Sequence, residues 1–347
     1  MGAAVYTTMA IPVVTVLLPA RNAEATVARA ARSLLDGTLQ DLRLLAIDDG
    51  STDATRAVLE ALAARDSRVE VLTGQGRGLV SALHLGLRQA TSPYVARMDA
   101  DDEALPRRLE ASLHALEADP GLAGVGTAVE LFRDDQPVSP SLQSYARWIN
   151  SLTSPEQLFH ARFIESPLCH PSVCLRRDAL TSTGAWRDGD FPEDYALWLE
   201  LLEQGHALKN LPEVLLRWRD SPARLTRTDP RYGLERLMWT KARYLVARRG
   251  PLSKARVCTL WGSGPSGKRM TRLLREHGVE VRRYIDVHPR KKGTRLNGIP
   301  VVGPEELGPP GQEPLLVCVG VRWAREELRQ DLARLGWVEG RDFTCVA

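Results

Sequence analysis

Val13-Val14-Thr15-Val16-Leu17-Leu18, closed by Pro19-Ala20-Arg21-Asn22, is a β-branched, almost continuously apolar run that stops at polar residues. Such a run predicts a strand buried on both faces, as in a parallel sheet. A helical pattern follows over 24–35, and a second apolar strand over 42–47 ends in Asp48-Asp49-Gly50-Ser51-Thr52-Asp53. The alternation continues with a helix over 55–64, a strand over 69–72, a turn holding Gly74, Gly76 and Gly78, a helix, and a strand over 94–98. Strands alternating with helices predict an α/β fold built on a doubly wound, mostly parallel sheet. Ligands of such sheets lie outside the carboxyl ends of the strands. The segments Pro19–Asn22, Asp48–Ser51 and Asp99-Ala100-Asp101-Asp102 are therefore expected to be neighbours.

The chain has 347 residues, which sets a prior of about two domains at roughly 150 residues each. Its net charge of +3 is too small for a nucleic-acid footprint over the whole surface, so no nucleic-acid partner is expected. The five cysteines form no CxxC pair, which argues against zinc-ribbon and thioredoxin-like sites and favours a reducing compartment. No apolar stretch approaches the roughly 18 residues of a transmembrane helix, and the N-terminus lacks signal-peptide features. We expect a cytoplasmic protein, at most docked to the inner face of a membrane, with a loose leader over 1–10.

Residues 134–153 read as a loop able to serve as a lid. Phe191-Pro192-Glu193-Asp194-Tyr195 precedes a helix, with Asp194 near its N-terminus, and Arg217, Arg219, Arg224, Arg227 and Arg231 crowd the stretch that follows. Arg249-Gly250-Pro251 marks a boundary, giving a first domain over 11–250 and a second over 251–347. The second restarts a βαβ count. Gly262-Ser263-Gly264-Pro265-Ser266-Gly267 matches GxGxxG between a strand and a helix, and Asp286 follows Gly262 by 24 residues. Gly262, Gly264, Gly267 and Asp286 are thus a candidate second nucleotide site in a smaller Rossmann-like domain. That domain is about half of a full dinucleotide fold, and a packing or partner-binding role stays equally open.

Three carboxylates within the four residues Asp99–Asp102 repel one another unless a cation neutralises them, although one Asp alone would serve as a helix cap. Hard oxygen donors suit Mg²⁺ or Mn²⁺, ions that grip substrate phosphates. The Asp48–Asp53 segment by itself is equally an ordinary turn, and Glu193-Asp194 by itself is the acidic first turn that a helix dipole favours.

Taken in order, Pro19-Ala20-Arg21-Asn22, Asp48-Asp49-Gly50-Ser51-Thr52-Asp53, Asp99-Ala100-Asp101-Asp102, Cys169-His170-Pro171-Ser172 and Phe191-Pro192-Glu193-Asp194-Tyr195 resemble the family 2 glycosyltransferases of the GT-A fold. The resemblance covers approximately residues 11–230. It implies that Pro19, Arg21, Asn22, Asp48 and Asp49 line a nucleotide pocket, that Arg77 helps hold the nucleotide, and that Asp99 contacts ribose or diphosphate. It makes Asp101 the principal metal ligand beside Asp99 and Asp102, and Asp194 the general base, with Glu193 next to it on the substrate side. His170 is either acceptor-side or a turn histidine. Trp186 and Trp198 are either core residues or a wall on which a sugar stacks.

The implied reaction is metal-dependent, inverting transfer of a sugar from a nucleoside-diphosphate donor to a hydroxyl of a carbohydrate or lipid-linked glycan acceptor, in surface polysaccharide or glycan assembly. Asp220-Ser221-Pro222 stands where related sequences often carry a His, which leaves the diphosphate clamp in the Arg-rich stretch unassigned. The tail, including Gly298-Ile299-Pro300-Val301-Val302-Gly303, resembles small nucleotide-binding domains of bacterial sugar-modifying enzymes. The run Arg290-Lys291-Lys292 to Arg295 reads as a solvated loop or a membrane-surface contact, the latter a route to peripheral association. Two alternatives compete: a nucleotidyltransferase-like enzyme, whose Gly-rich phosphate loop with Lys is missing after the first strand, and a catalytically silent sugar-nucleotide sensor. A dehydrogenase would rest on GxGxxG alone.

Overall fold

The computed structural model describes residues 11–347, so the expected leader over 1–10 lies outside the described residues. The chain forms two compact units. The first comprises the described residues through Thr153, with Leu168–Asp188 and His206–Ser221.

Its sheet has eight strands: β1 (Val14–Ala20), β2 (Leu42–Asp48), β3 (Val69–Thr73), β4 (Tyr94–Arg97), β5 (Glu103–Ala104), β6 (Leu122–Phe132), β7 (Cys174–Arg176) and β8 (Ala207–Arg219). They are ordered β3-β2-β1-β4-β7-β6-β8-β5. The β3-β2-β1-β4 half is parallel, as the βα alternation predicts. Beyond it β7 runs antiparallel to both β4 and β6, and β5 antiparallel to β8, so the whole sheet is mixed. Every residue of β1 is buried, which explains its unbroken apolar character. Thr15, the polar exception, shares a hydrogen bond with Ser92 between hydroxyl oxygens 2.8 Å apart. In register, Ala20 pairs with Asp48 and Leu17 with Arg97, which brings the polar segments after β1, β2 and β4 to one edge.

The expected lid loop over 134–153 is instead largely a helix, Pro140–Asn150, capped by Ser139 through the Leu142 N–H. Asn150 explains why it docks: its Oδ1 accepts from Val129 N and its Nδ2 donates to Val129 O, both at 2.9 Å, as a neighbouring strand would.

The second unit gathers Ser154–Pro167, Gly189–Gly205 and Pro222–Ala347. It holds a six-stranded sheet of β9 (Val257–Trp261), β10 (Glu280–Ile285), β11 (Arg295–Leu296), β12 (Ile299–Val302), β13 (Leu315–Val317) and β14 (Phe343–Cys345). The order is β11-β12-β10-β9-β13-β14, parallel except for β11. Trp261, Ile285, Leu328, Leu332 and Trp337 belong to its core, against which Ile164 packs. This is the expected smaller Rossmann-like sheet. All five cysteines are buried. No helix among the described residues is long and apolar enough to cross a membrane.

Candidate functional site

At the carboxyl edge of the parallel half, Pro19 lies within β1 opposite Ile47, and the chain leaves the strand through Arg21 and Asn22. Asn22 takes a positive φ of 51°, a conformation that Asn tolerates better than most residues. Its Oδ1 accepts from the Thr52 N–H at 2.9 Å, and its own N–H donates to Ser51 Oγ at 3.0 Å, locking the first two polar segments together. Asp48 is buried and accepts from Ser51 N at 3.2 Å.

Asp49, also buried, carries the third connection. Its Oδ1 accepts from Gly76 N at 2.9 Å and its Oδ2 from Gly78 N at 2.7 Å, so one carboxylate organises the Gly74–Gly78 turn. A side chain at Gly74 would place its Cβ 2.7 Å from Asp49 Oδ1, which is why glycine stands there. Arg77 projects from this turn as an exposed cation, and Arg21 Nη1 lies 3.5 Å from Gly76 O. Pro19, Arg21, Asn22, Asp48, Asp49 and Arg77 thus occupy one edge of one unit.

Asp99, Asp101 and Asp102 follow β4, and one carboxylate oxygen from each lies within 4.8 Å of the others. Three hard oxygens so spaced fit a divalent cation. Arg97, buried beneath them, pairs with Asp99 at 2.5 Å. Asp102 is buried, and its Oδ1 accepts from the Arg219 backbone N–H at 2.8 Å, tying the cluster to the end of β8.

His170 is buried, and its Nε2 accepts from the Trp186 indole N–H at 2.8 Å. Burial and the charge of Arg97 hold its pKa well below the ordinary 6.5, so the ring is neutral. Trp186 and Trp198 have no exposed surface, so of their two readings core packing is the one that holds. Of the Arg-rich stretch, Arg217 pairs with Glu103, Arg219 with Asp134 and Arg231 with Asp229.

In the second unit, Glu193 and Asp194 form the first turn of the helix Glu193–Glu203, after Pro192. Asp194 Oδ1 accepts from Tyr195 N at 2.7 Å, and the Tyr195 hydroxyl donates to Arg162 O at 2.6 Å. The Gly-rich turn follows β9: Gly262 has φ 105°, Gly264 faces open space, and a Cβ on Gly267 would meet Gly262 O at 2.0 Å. Asp286 follows β10 and accepts from the Ser263 N–H and hydroxyl, the His288 N–H and the Lys291 ammonium. These partners outweigh burial and bring its pKa down to about 2. Its carboxylate therefore braces the turn internally.

Arg108 was not anticipated from sequence. It is fully buried and donates to Arg97 O at 2.5 Å and Pro171 O at 2.6 Å, joining the end of β4 to the His170–Ser172 turn. Desolvation lowers its pKa to about 10. The available signal was its place on the apolar side of the helix Arg108–Ala118, with Leu109, Ser112 and Leu116.

The family model described as glycosyl transferase family 2 matches residues 15–183, the span from β1 through β7. The chain is 30% identical over 229 residues to the putative glycosyltransferase EpsE of Bacillus subtilis, covering 65% of this chain and 79% of that protein. It is 31% identical over 188 residues to the amylovoran biosynthesis glycosyltransferase AmsE of Erwinia amylovora, covering 54% of this chain and 68% of that protein. The structure of S. aureus TarS 1–349 in complex with UDP-GlcNAc superposes with a TM-score of 0.53 at 13% identity, over 76% of this chain and 72% of that one, a likeness of fold. With the polar strand ends, the aspartate triplet and the α/β architecture all in place, these matches show that the chain belongs to the family 2 glycosyltransferases.

Proposed function

We propose that this glycosyltransferase moves a sugar from a nucleoside-diphosphate donor to a hydroxyl of a carbohydrate or lipid-linked glycan acceptor, with inversion, in polysaccharide assembly. The reading is supported by one observation above the others. Three carboxylates, Asp99, Asp101 and Asp102, lie within 4.8 Å at the same sheet edge as the turn that Asp49 organises. The polysaccharide setting follows the relative AmsE, an amylovoran biosynthesis glycosyltransferase.

Asp101, with Asp99 and Asp102, would hold Mg²⁺ or Mn²⁺, which when bound supplies positive charge to a diphosphate. Asp48 and Asp49 present acceptors for a base N–H, and Asn22 keeps the β1 and β2 ends in register around it. Arg21 and Arg77 supply charge beside the Gly74–Gly78 turn. Asp194, in the first turn of its helix, takes the proton of the acceptor hydroxyl as that oxygen attacks the anomeric carbon. A single displacement inverts the configuration. His170, neutral and held by Trp186, shapes the wall next to Arg97 and Asp99 without exchanging a proton.

A thermal-shift screen of nucleoside diphosphates and their sugars, with and without Mn²⁺, tests the donor side, and a transfer assay tests the base. We expect UDP or GDP to stabilise the protein only with metal and to lose that effect in Asp101→Ala. Asp194→Asn should keep donor binding and lose transfer by at least about a hundredfold. Full transfer in Asp194→Asn removes the base assignment. Donor binding without transfer to any acceptor or to water in the wild type favours the sensor reading instead.

A further inference from the structure

Glu193 has only 2% of its surface exposed, and a carboxylate so buried needs hydrogen-bond donors. Tyr232 supplies one: its hydroxyl donates to Glu193 Oε2 at 2.6 Å from a position 39 residues downstream in the same unit. The phenol is itself fixed. It ends the short turn Pro230–Tyr232, where Asp229 accepts from the Arg231 backbone N–H at 2.9 Å and from Arg231 Nε and Nη2 at 2.9 and 2.7 Å. Burial and the adjoining negative charges of Glu193 and Asp194 push the Tyr232 pKa up, so it stays a donor. Arg231, whose own pKa is raised chiefly by Asp229, brings its positive charge to the same group.

We infer that Tyr232 is a positioning residue for glycosyl transfer, acting through Glu193 on the neighbouring Asp194. This rests on the reading of Asp194 as the base. Glu193 and Asp194 share a peptide unit, so anchoring the Glu193 side chain restrains the backbone that aims the Asp194 carboxylate. A hydrogen bond to ionised Glu193 also keeps a negative charge beside Asp194, which favours proton uptake from the acceptor hydroxyl. Tyr232 touches no substrate in this scheme, and its whole effect passes through one hydrogen bond. That makes its contribution separable from the rest of the turn.

The test is a double-mutant cycle on the full chain with Tyr232→Phe, Glu193→Gln and both together, read as kcat and donor KM in the transfer assay. We expect Tyr232→Phe to lower kcat roughly tenfold with donor KM within about twofold. The double variant should be no slower than Glu193→Gln alone. Losses that multiply in the double variant, an effect confined to donor KM, or an unchanged kcat in Tyr232→Phe each overturn the proposal. If the Phe variant does not fold, Tyr232→Gln enters the same cycle. Full transfer by Asp194→Asn would sink the base reading itself, whereas loss of transfer there with multiplying losses in the cycle sinks the Tyr232 role alone.

Discussion

His170 shows how a single residue's surroundings decide its chemistry. The Trp186 indole N–H occupies Nε2, so the ring carries its proton on Nδ1, and protonating Nε2 would break that bond in a buried site. Burial, reinforced by Arg97, depresses the folded-state pKa well below 6.5. The unfolded chain takes up this proton and the native one resists it, so the associated stability is present above pH 6.5 and is lost as the pH falls further. We expect the thermal midpoint of the wild type to drop more steeply between roughly pH 7 and roughly pH 5 than that of His170→Gln. Parallel profiles for the two proteins would show that the imidazole does not carry the acid sensitivity. The same logic explains why His170 was ambiguous in sequence. A Cys-His-Pro-Ser turn has the same letters whether its ring faces solvent or an indole, and only the fold brings Trp186 to it.

Among the elements, the Gly74–Gly78 turn depends most directly on a strand end. Asp49 holds it through two backbone N–H groups, and Gly76 and Gly78 adopt φ of 68° and 93° to present them. A methyl group at Gly74 would meet Asp49 Oδ1 at 2.7 Å and Asp49 Cα at 2.9 Å. Because the second of these is backbone, the turn must shift. We expect Gly74→Ala to cost about 1–3 kcal/mol in urea unfolding. It should also weaken nucleoside-diphosphate binding in calorimetry, while a variant with wild-type affinity would separate the turn from the donor site. The βα alternation and the strand-end carboxylates were legible because their periodicity is local and their apolar runs are unbroken. The second half of the sheet was not, since the β6–β8 pairing joins distant segments and β5 has two residues. Turn residues around Asp134–Ser139 masked the helix Pro140–Asn150, whose docking depends on the contact of Asn150 with Val129. Arg108 could not be singled out from the sequence because the carbonyls of Arg97 and Pro171 that receive it are tertiary partners.

At the scale of the whole chain, the second unit is assembled from three separate stretches, and a buried lysine ties two of them together. Lys241, on the helix Leu234–Leu245, donates to Ile164 O at 2.6 Å and to Val346 O at 3.2 Å. It thereby joins a segment near residue 160, a helix and the residue that follows β14. Desolvation, partly offset by Glu165, brings the Lys241 pKa down from 10.5 to about 8. Burial correspondingly raises that of Glu165, against the opposing charges of Lys241 and Arg325. Between about pH 8 and pH 10.5 the unfolded chain holds a proton that the folded chain has released, so this group makes stability rise with pH across that window. The full amplitude is about 3 kcal/mol, present above pH 10.5 and lost as the pH falls through about 8. Urea unfolding followed from pH 7.5 to pH 9.5, as roughly chosen points around that window, should therefore show a rising midpoint in the wild type relative to Lys241→Met. The Met variant leaves two carbonyls without their amine donor and should be the less stable protein at the upper end of the range. If the two midpoints keep a constant separation across the window, Lys241 is not the group whose ionisation is linked to folding, and the joining of these two stretches must be sought in the apolar contacts around Ile164 instead.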